Sequence, residues 1–140
     1  MVIYYNMIKL IKNQTNRVIF TATENATLSA PVYFLFELIS DDTKESKIFT
    51  GSDISNNICR YNEFLVEVTT GTEDLLDSII NLELNGYYGY NIYQMSDPTN
   101  LDIASTGGIV ETGKLYLKGD LKPVTTSYND NEDNNYIAYQ

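Results

Sequence analysis

An all-β sandwich is the fold this chain predicts, and three observations predict it. Apolar residues recur at every second position in several short stretches, which is the strand period rather than the helix period. Clusters of Ser, Asp, Asn, Gly and Pro separate those stretches at short intervals. The composition suits a packed core: 43% of the 140 residues are hydrophobic, and twelve are tyrosine, which favours strands and amphipathic surfaces.

Taken in order, Met7-Ile8-Lys9-Leu10-Ile11 reads as the first strand, and Met7 reads as an alternative start to Met1. Residues 17–23 place Val18, Phe20 and Ala22 on one face. Residues 32–39 place Val32, Phe34, Phe36 and Leu38 on one face, with Tyr33, Leu35 and Glu37 between them. The polar run 40–46 then predicts a hairpin loop, from which Lys47-Ile48-Phe49-Thr50 returns. Residues 64–69 alternate cleanly, with Phe64, Val66 and Val68 inward and Leu65, Glu67 and Thr69 outward.

Asn85-Gly86 is the strongest turn signal, because both residues tolerate the positive φ of a type I′ turn. It predicts a long hairpin, with Ile80, Leu82 and Leu84 in register before it and Tyr88, Tyr90 and Ile92 after it. Thr72-Glu73-Asp74 could cap a short helical turn over 73–77. Loops follow at 96–100 and 106–108, and residues 109–118 form the last strand, with Leu115 and Leu117 alternating against Lys114, Tyr116 and Lys118. About eight short strands without an internal repeat predict an immunoglobulin-like β-sandwich with a flexible C-terminal tail. Residues 1–119 make the sandwich domain. Residues 120–140 make an acidic linker and a C-terminal apolar strand, carrying Asp130, Glu132 and Asp133 and then Tyr136, Ile137, Ala138 and Tyr139. That apolar end either folds back on its own sheet or adds as a strand to a neighbouring subunit.

Charge and composition exclude several function classes. The formal net charge is −10, with 19 acidic and 9 basic residues, so the chain repels nucleic-acid backbones and anionic membranes. The longest apolar stretch, near residues 31–39, is too short to span a bilayer, and the first residues lack the features of a signal peptide. Histidine is absent, which removes the commonest general base and metal ligand. Cys59 is the only cysteine, so no internal disulfide can form, and it reads as a half-buried structural thiol. The two Asn-x-Thr sequons at Asn13 and Asn25 read as chance without a secretion signal.

The motif search yields no catalytic, cofactor-binding or metal-ligating residues. Gly108-Ile109-Val110-Glu111-Thr112-Gly113-Lys114 approaches a phosphate-binding loop, but Leu115 stands where the magnesium-binding hydroxyl belongs, and Lys114 falls inside a strand pattern. Asp41, Asp42, Asp53, Asp97, Asp102, Asp130 and Asp133 fit no EF-hand spacing and read as solvated loop residues. The expectation is a protein without enzymatic activity and without a cofactor. Tyr87, Tyr88, Tyr90 and Tyr93 crowd one stretch, with rings on both faces of the strand. One face is core, and the other predicts a protein interface or a sugar-binding platform. The candidate interface residues are therefore Tyr87 and Tyr93, with Tyr136, Ile137 and Tyr139 of the tail.

The segment YFLFELISDDTKESKIFTGSDIS, followed by RYNEFLVEV, resembles a family of small virion proteins encoded by tailed phages, including crAss-like phages of Bacteroidetes hosts. The similarity continues through Asn85-Gly86-Tyr87-Tyr88-Gly89-Tyr90-Asn91-Ile92-Tyr93, through Asp97-Pro98-Thr99-Asn100-Leu101-Asp102, and through Val110-Glu111-Thr112-Gly113-Lys114, covering residues 7–119 in order. The resemblance implies a virion component with an immunoglobulin-like domain, assembled in the host bacterial cytoplasm. It implies an auxiliary or decoration protein of the capsid shell, whose partners are the major capsid protein or other virion proteins, with possible self-association. A head-fibre, collar or tail attachment module, or a carbohydrate-binding one, is the alternative. The family carries no catalytic residues to transfer.

Overall fold

The computed structural model describes residues 7–119. They form β1 (Met7–Ile11), β2 (Thr15–Phe20), β3 (Tyr33–Ser40), β4 (Ser46–Thr50), β5 (Asn62–Val68), β6 (Ile79–Ile80), β7 (Gly86–Met95) and β8 (Ile109–Lys118). Two short 3₁₀ turns lie at Thr23–Asn25 and Ile103–Ser105. The strands make two sheets, one in the order β1-β8-β7-β3-β4 and one in the order β2-β5-β6, packed face to face as an all-β sandwich. The larger sheet follows the G-F-C-C′ order of an immunoglobulin-like domain, with β1 added in parallel beside β8. The smaller sheet pairs β2 with β5 as such domains pair B with E. It departs from that pattern at its third strand, because β6 comes from the connection between β5 and β7 and runs parallel to β5.

The period-two pattern sets which side chains meet between the sheets. Phe34, Phe36 and Leu38 of β3 and Tyr88, Tyr90 and Ile92 of β7 face Val18 and Phe20 of β2 and Phe64, Val66 and Val68 of β5. All five phenylalanines of the chain are in this core. Phe20 lies edge-on to Phe34, Phe36 and Phe64 at 5.8, 5.1 and 5.2 Å. Phe36 also stacks on Phe49 at 5.1 Å. Edge-to-face and offset pairs of this kind add to plain area burial.

Three buried side-chain amides fix the connections. Asn16 Oδ1 accepts from Ile11 N at 2.9 Å, and its Nδ2 donates to the carbonyls of Ile11, Gln14 and Val66. This ties the turn between β1 and β2, where Asn13 takes φ 63°. Asn62 Oδ1 accepts from the N–H groups of Ala22 and Thr23, and its Nδ2 donates to Thr23 Oγ1 and Asp53 Oδ2, both at 2.7 Å. Gln94 Oε1 accepts from Thr27 N and Leu28 N, and its Nε2 donates to Thr27 Oγ1 and the Gly107 carbonyl. Each amide replaces a stretch of ladder with side-chain bonds, which is what a buried loop backbone needs. Gly51 belongs to the same economy, since a Cβ there would fall 1.9 Å from Ser78 Oγ, which donates to the Thr50 carbonyl.

The structure corrects two expectations here. Residues 78–84 do not pair with β7 in a hairpin. β7 is a central strand with β3 on one side and β8 on the other, so it has no edge left for them. They cross instead between the sheets: Ile79 and Ile80 pair with Glu67 and Val68, and Ile80 and Leu82 are buried while Leu84 is exposed. Gly86 alone takes positive φ (117°), so the two-residue type I′ turn does not form. The stretch 73–77 holds a hydrogen-bonded turn closed by Asp77 N and Ile79 N on the Asp74 carbonyl, and no helix. The expectations for residues 1–6 and 120–140, including the tail, fall outside the described residues.

Asn62 should prove costly to remove. Replacing it with Ala leaves two N–H groups and one carboxylate oxygen without their partner, so Asn62→Ala is expected to lose about 2 kcal/mol or more in urea unfolding. Leu65→Ala, on the outward face of the same strand, should stay within about 0.5 kcal/mol. Equal effects for the two would contradict this account of the connections.

Candidate interaction surface

The outward face of the five-stranded sheet divides into a covered half and an open half. Register sets the rows. Tyr87 lies opposite Tyr116, Gly89 opposite Lys114, Asn91 opposite Thr112, and Tyr93 opposite Ile109. On the other side Tyr93 lies opposite Leu35, Asn91 opposite Glu37, and Gly89 opposite Ile39.

The covered half begins at Tyr93. The connection between β7 and β8 folds back over it, and Leu101 and Ile103 pack with Tyr33 and Ile48 around Leu35, Tyr93 and Met95. Local hydrogen bonds shape that connection. Asp97 Oδ1 accepts from Thr99 N and Oγ1, Asn100 bonds both ends of Asp102, and Asp102 caps the 3₁₀ turn through Ala104 N. Tyr93 is consequently only 9% exposed, and its hydroxyl donates to Glu37 Oε1 at 2.8 Å, an oxygen that also accepts from Asn91 Nδ2. Burial first, and then the neighbouring Glu37, raise the Tyr93 phenol above its ordinary pKa.

The open half is built on Tyr87 and Tyr116. Their rings lie 4.9 Å apart, tilted by 56°, and Tyr87 is 54% exposed. Beside them Gly89 leaves a slot, because nothing stands within 4 Å of where its Cβ would be. The slot floors an open groove of about 490 Å³, bordered by Ile39, Asp41, Asn91 and Lys114. Lys114 Nζ donates to both carboxylate oxygens of Asp41 at 2.9 Å. That pair is exposed and contributes about 0.2–1 kcal/mol, less at high salt. The surface is thus an aromatic pair, a shallow slot and a fixed pair of opposite charges. It can stack against a ring, a planar peptide group or the apolar face of a sugar, and it can exchange polar hydrogen bonds beside that contact.

Of the expected interface residues, Tyr87 is on this surface, and Tyr93 is withdrawn under the β7–β8 connection. Tyr136, Ile137 and Tyr139 lie outside the described residues. Tyr88 and Tyr90 are core side chains, with hydroxyls donating to the Leu84 carbonyl and to Glu111 Oε2. Tyr116 completes the surface. Alternation alone places it outward, but only the pairing of β7 with β8 shows that it meets Tyr87.

Other sequence features resolve as follows. Cys59 is exposed rather than half-buried, because it lies on the turn closed by Arg60 N and Tyr61 N on the Asn57 carbonyl, ahead of β5. Gly108 to Lys114 leads into one continuous strand, without the helix a phosphate cradle requires. Asp53, Asp97 and Asp102 each accept from nearby backbone N–H groups, and no cluster of three metal-ligating side chains occurs among the described residues. At one end of the sandwich, Glu73 accepts from Lys47 Nζ and from Asn81 N, which holds its carboxyl below the ordinary range. No protein-family model matches the chain, and no curated protein is significantly similar to it.

Two phenols titrate late in this fold. Tyr88 is raised by burial and then by the charges of Asp42 and Glu45, as Tyr93 is raised by burial and Glu37. A phenol with a folded pKa above its unfolded value stabilises the fold below about pH 10, and that stability is lost as pH rises. Stability should therefore decline above about pH 10, and less steeply in Tyr93→Phe. Identical alkaline slopes for the two proteins, followed by absorbance of the phenolate, would contradict the buried placement of Tyr93.

Proposed function

We propose that the chain is a non-enzymatic structural component of a tailed-phage virion, an auxiliary or decoration protein that binds the capsid shell through protein–protein contacts. One observation carries the reading: a tyrosine pair, Tyr87 exposed and Tyr116 half-buried, on the open half of a sheet face. Tyrosine supplies large contact area at low entropic cost and is enriched where proteins meet. Rigid strands hold both rings, so binding there costs little ordering. The resemblance of residues 7–119 to phage virion proteins supports the same role, and the acidic charge fits a protein partner better than DNA packed within a head. The major capsid protein is the partner this reading names, met after assembly in the bacterial cytoplasm.

A second reading follows from the groove beside the tyrosines. An aromatic pair next to a slot lined by Asn91, Asp41 and Lys114 also suits a neutral sugar, whose apolar face stacks while its hydroxyls exchange hydrogen bonds. It would make the chain a carbohydrate-binding or host-attachment module of the particle.

The two readings separate experimentally. Labelled chain added to capsids lacking it should bind, and Tyr87→Ala with Tyr116→Ala should cut occupancy at least tenfold without changing the unfolding midpoint. Unchanged occupancy in that double variant, or no capsid binding by the unaltered chain, would overturn the capsid reading. Hits on a glycan array that vanish in Tyr116→Ala would favour the sugar.

A further inference from the structure

The outer edge of β2 is open among the described residues. β2 has a neighbour, β5, on one side only. Val68 N donates to the Gln14 carbonyl, and from there the register makes Asn16, Val18 and Phe20 the residues that exchange bonds with Val66, Phe64 and Asn62. The N–H and C=O groups of Thr15, Arg17 and Ile19 therefore point away from the sheet. Among the described residues no N–H of these three has a partner. An open edge of this kind is a template for another strand.

The edge borders a seam between the two sheets that is pinned at both ends. Asn16 bonds the backbone of Ile11 at one end, and Thr21 N donates to Glu111 Oε1 at 3.2 Å at the other. Between the pins, Arg17 and Ile19 of β2 are exposed, and Ile19 (53%) and Leu65 (47%) make an apolar strip on the outward face. The seam carries both signs: Lys9 on β1, Lys12 after it, Arg17 on β2 and Lys118 at the end of β8 flank it, with Glu63 and Glu67 on β5 and Glu111 on β8. Arg17 bonds Glu63, and Lys12 Nζ donates to the Glu83 carbonyl.

One segment of the same chain matches this edge in length and pattern. Residues 136–140, Tyr-Ile-Ala-Tyr-Gln, are five residues against the six of β2, and both faces of such a strand are apolar. Asp130, Glu132 and Asp133 precede them. The chain leaves β8 beside the seam, since the Lys118 carbonyl accepts from Lys12 N at 3.0 Å. Sixteen residues, 120–135, connect that point to Tyr136. Sixteen residues taken as a random coil would span about 20–24 Å on average, close to the roughly 20 Å length of a six-residue strand. A tether so matched gives an effective concentration on the order of millimolar, which favours the edge of the same molecule over that of another.

We propose that residues 136–140 add as a strand to the β2 edge of their own domain. Main-chain hydrogen bonds to Thr15, Arg17 and Ile19 then satisfy the edge, and the tail keeps copies of the chain from pairing edge to edge. This goes beyond the virion reading and does not depend on it.

Amide hydrogen exchange by NMR on the full chain at micromolar concentration tests it. In the unaltered protein the amides of Thr15, Arg17 and Ile19 should exchange at least tenfold more slowly than in Ile137→Pro, which cannot hold the ladder. Val18 and Leu115 report that the sandwich stays folded, and Ile137→Asp should reproduce the loss if the proline variant disturbs more than the tail. Exchange equal in all three proteins would overturn the proposal. So would protection that falls on dilution, which would place the strand on a second copy. Protection lost in Ile3→Pro but kept in Ile137→Pro would assign the edge to the first residues of the chain, and would overturn it as well.

Discussion

Phe20 stands edge-on among Phe34, Phe36 and Phe64, and the rest of the structure depends on that contact between sheets. It joins the smaller sheet, through β2 and β5, to the middle of the larger one. Phe36 extends it sideways by stacking on Phe49 of β4 and approaching Tyr90 of β7 at 6.3 Å. A strand shifted by one residue would turn its own rings away from the cluster, so the cluster fixes register as well as adding burial. Full burial of a side chain of this size contributes about 1.5–3 kcal/mol, and loss of the cluster would leave neither sheet a face to close on.

Closing two sheets of unequal width has consequences at their margins. Five strands cover three, and the connections that carry the chain between layers cannot use ladder hydrogen bonds. Side chains supply those bonds, Asn16 at the β1–β2 crossing and Asn62 and Gln94 along the β2–β3 crossing. The wider sheet keeps an outward face, half of it sealed by Leu101 and Ile103 and half left open around Tyr87 and Tyr116. The narrower sheet keeps an open edge at β2. The two surfaces offered here for binding are thus products of the architecture, and each sits on rigid strands rather than on a loop.

Much of this was legible in the sequence because alternation speaks directly to which residues face inward. Val18, Phe20, Phe34, Phe36, Leu38, Phe64, Val66, Val68, Leu115 and Leu117 are buried as their spacing implies. Pairing is a different matter, because it is decided by distant segments. Asn85-Gly86 is a strong local turn signal, yet β3 and β8 already occupy both edges of β7, and the segment before the turn was drawn to β5 instead. Cys59 reads as a half-buried thiol, but a turn ahead of β5 carries it outward. The meeting of Tyr116 with Tyr87, and the three buried amides, carry no local signature. An asparagine in a strand reads as a surface residue until the loops it must satisfy are in place. Tyr93 read as a candidate for the open face, and only the course of the β7–β8 connection withdraws it.

A double-mutant cycle between Phe20 and Phe36 tests the central contact most directly. Phe20→Leu and Phe36→Leu keep each position apolar while removing the edge-to-face geometry, and their coupling is read from urea unfolding of the four proteins. The account predicts a favourable coupling of about 0.5–1.5 kcal/mol across the sheets. Strictly additive losses would mean that the two rings do not meet, and the layer arrangement described here would not stand.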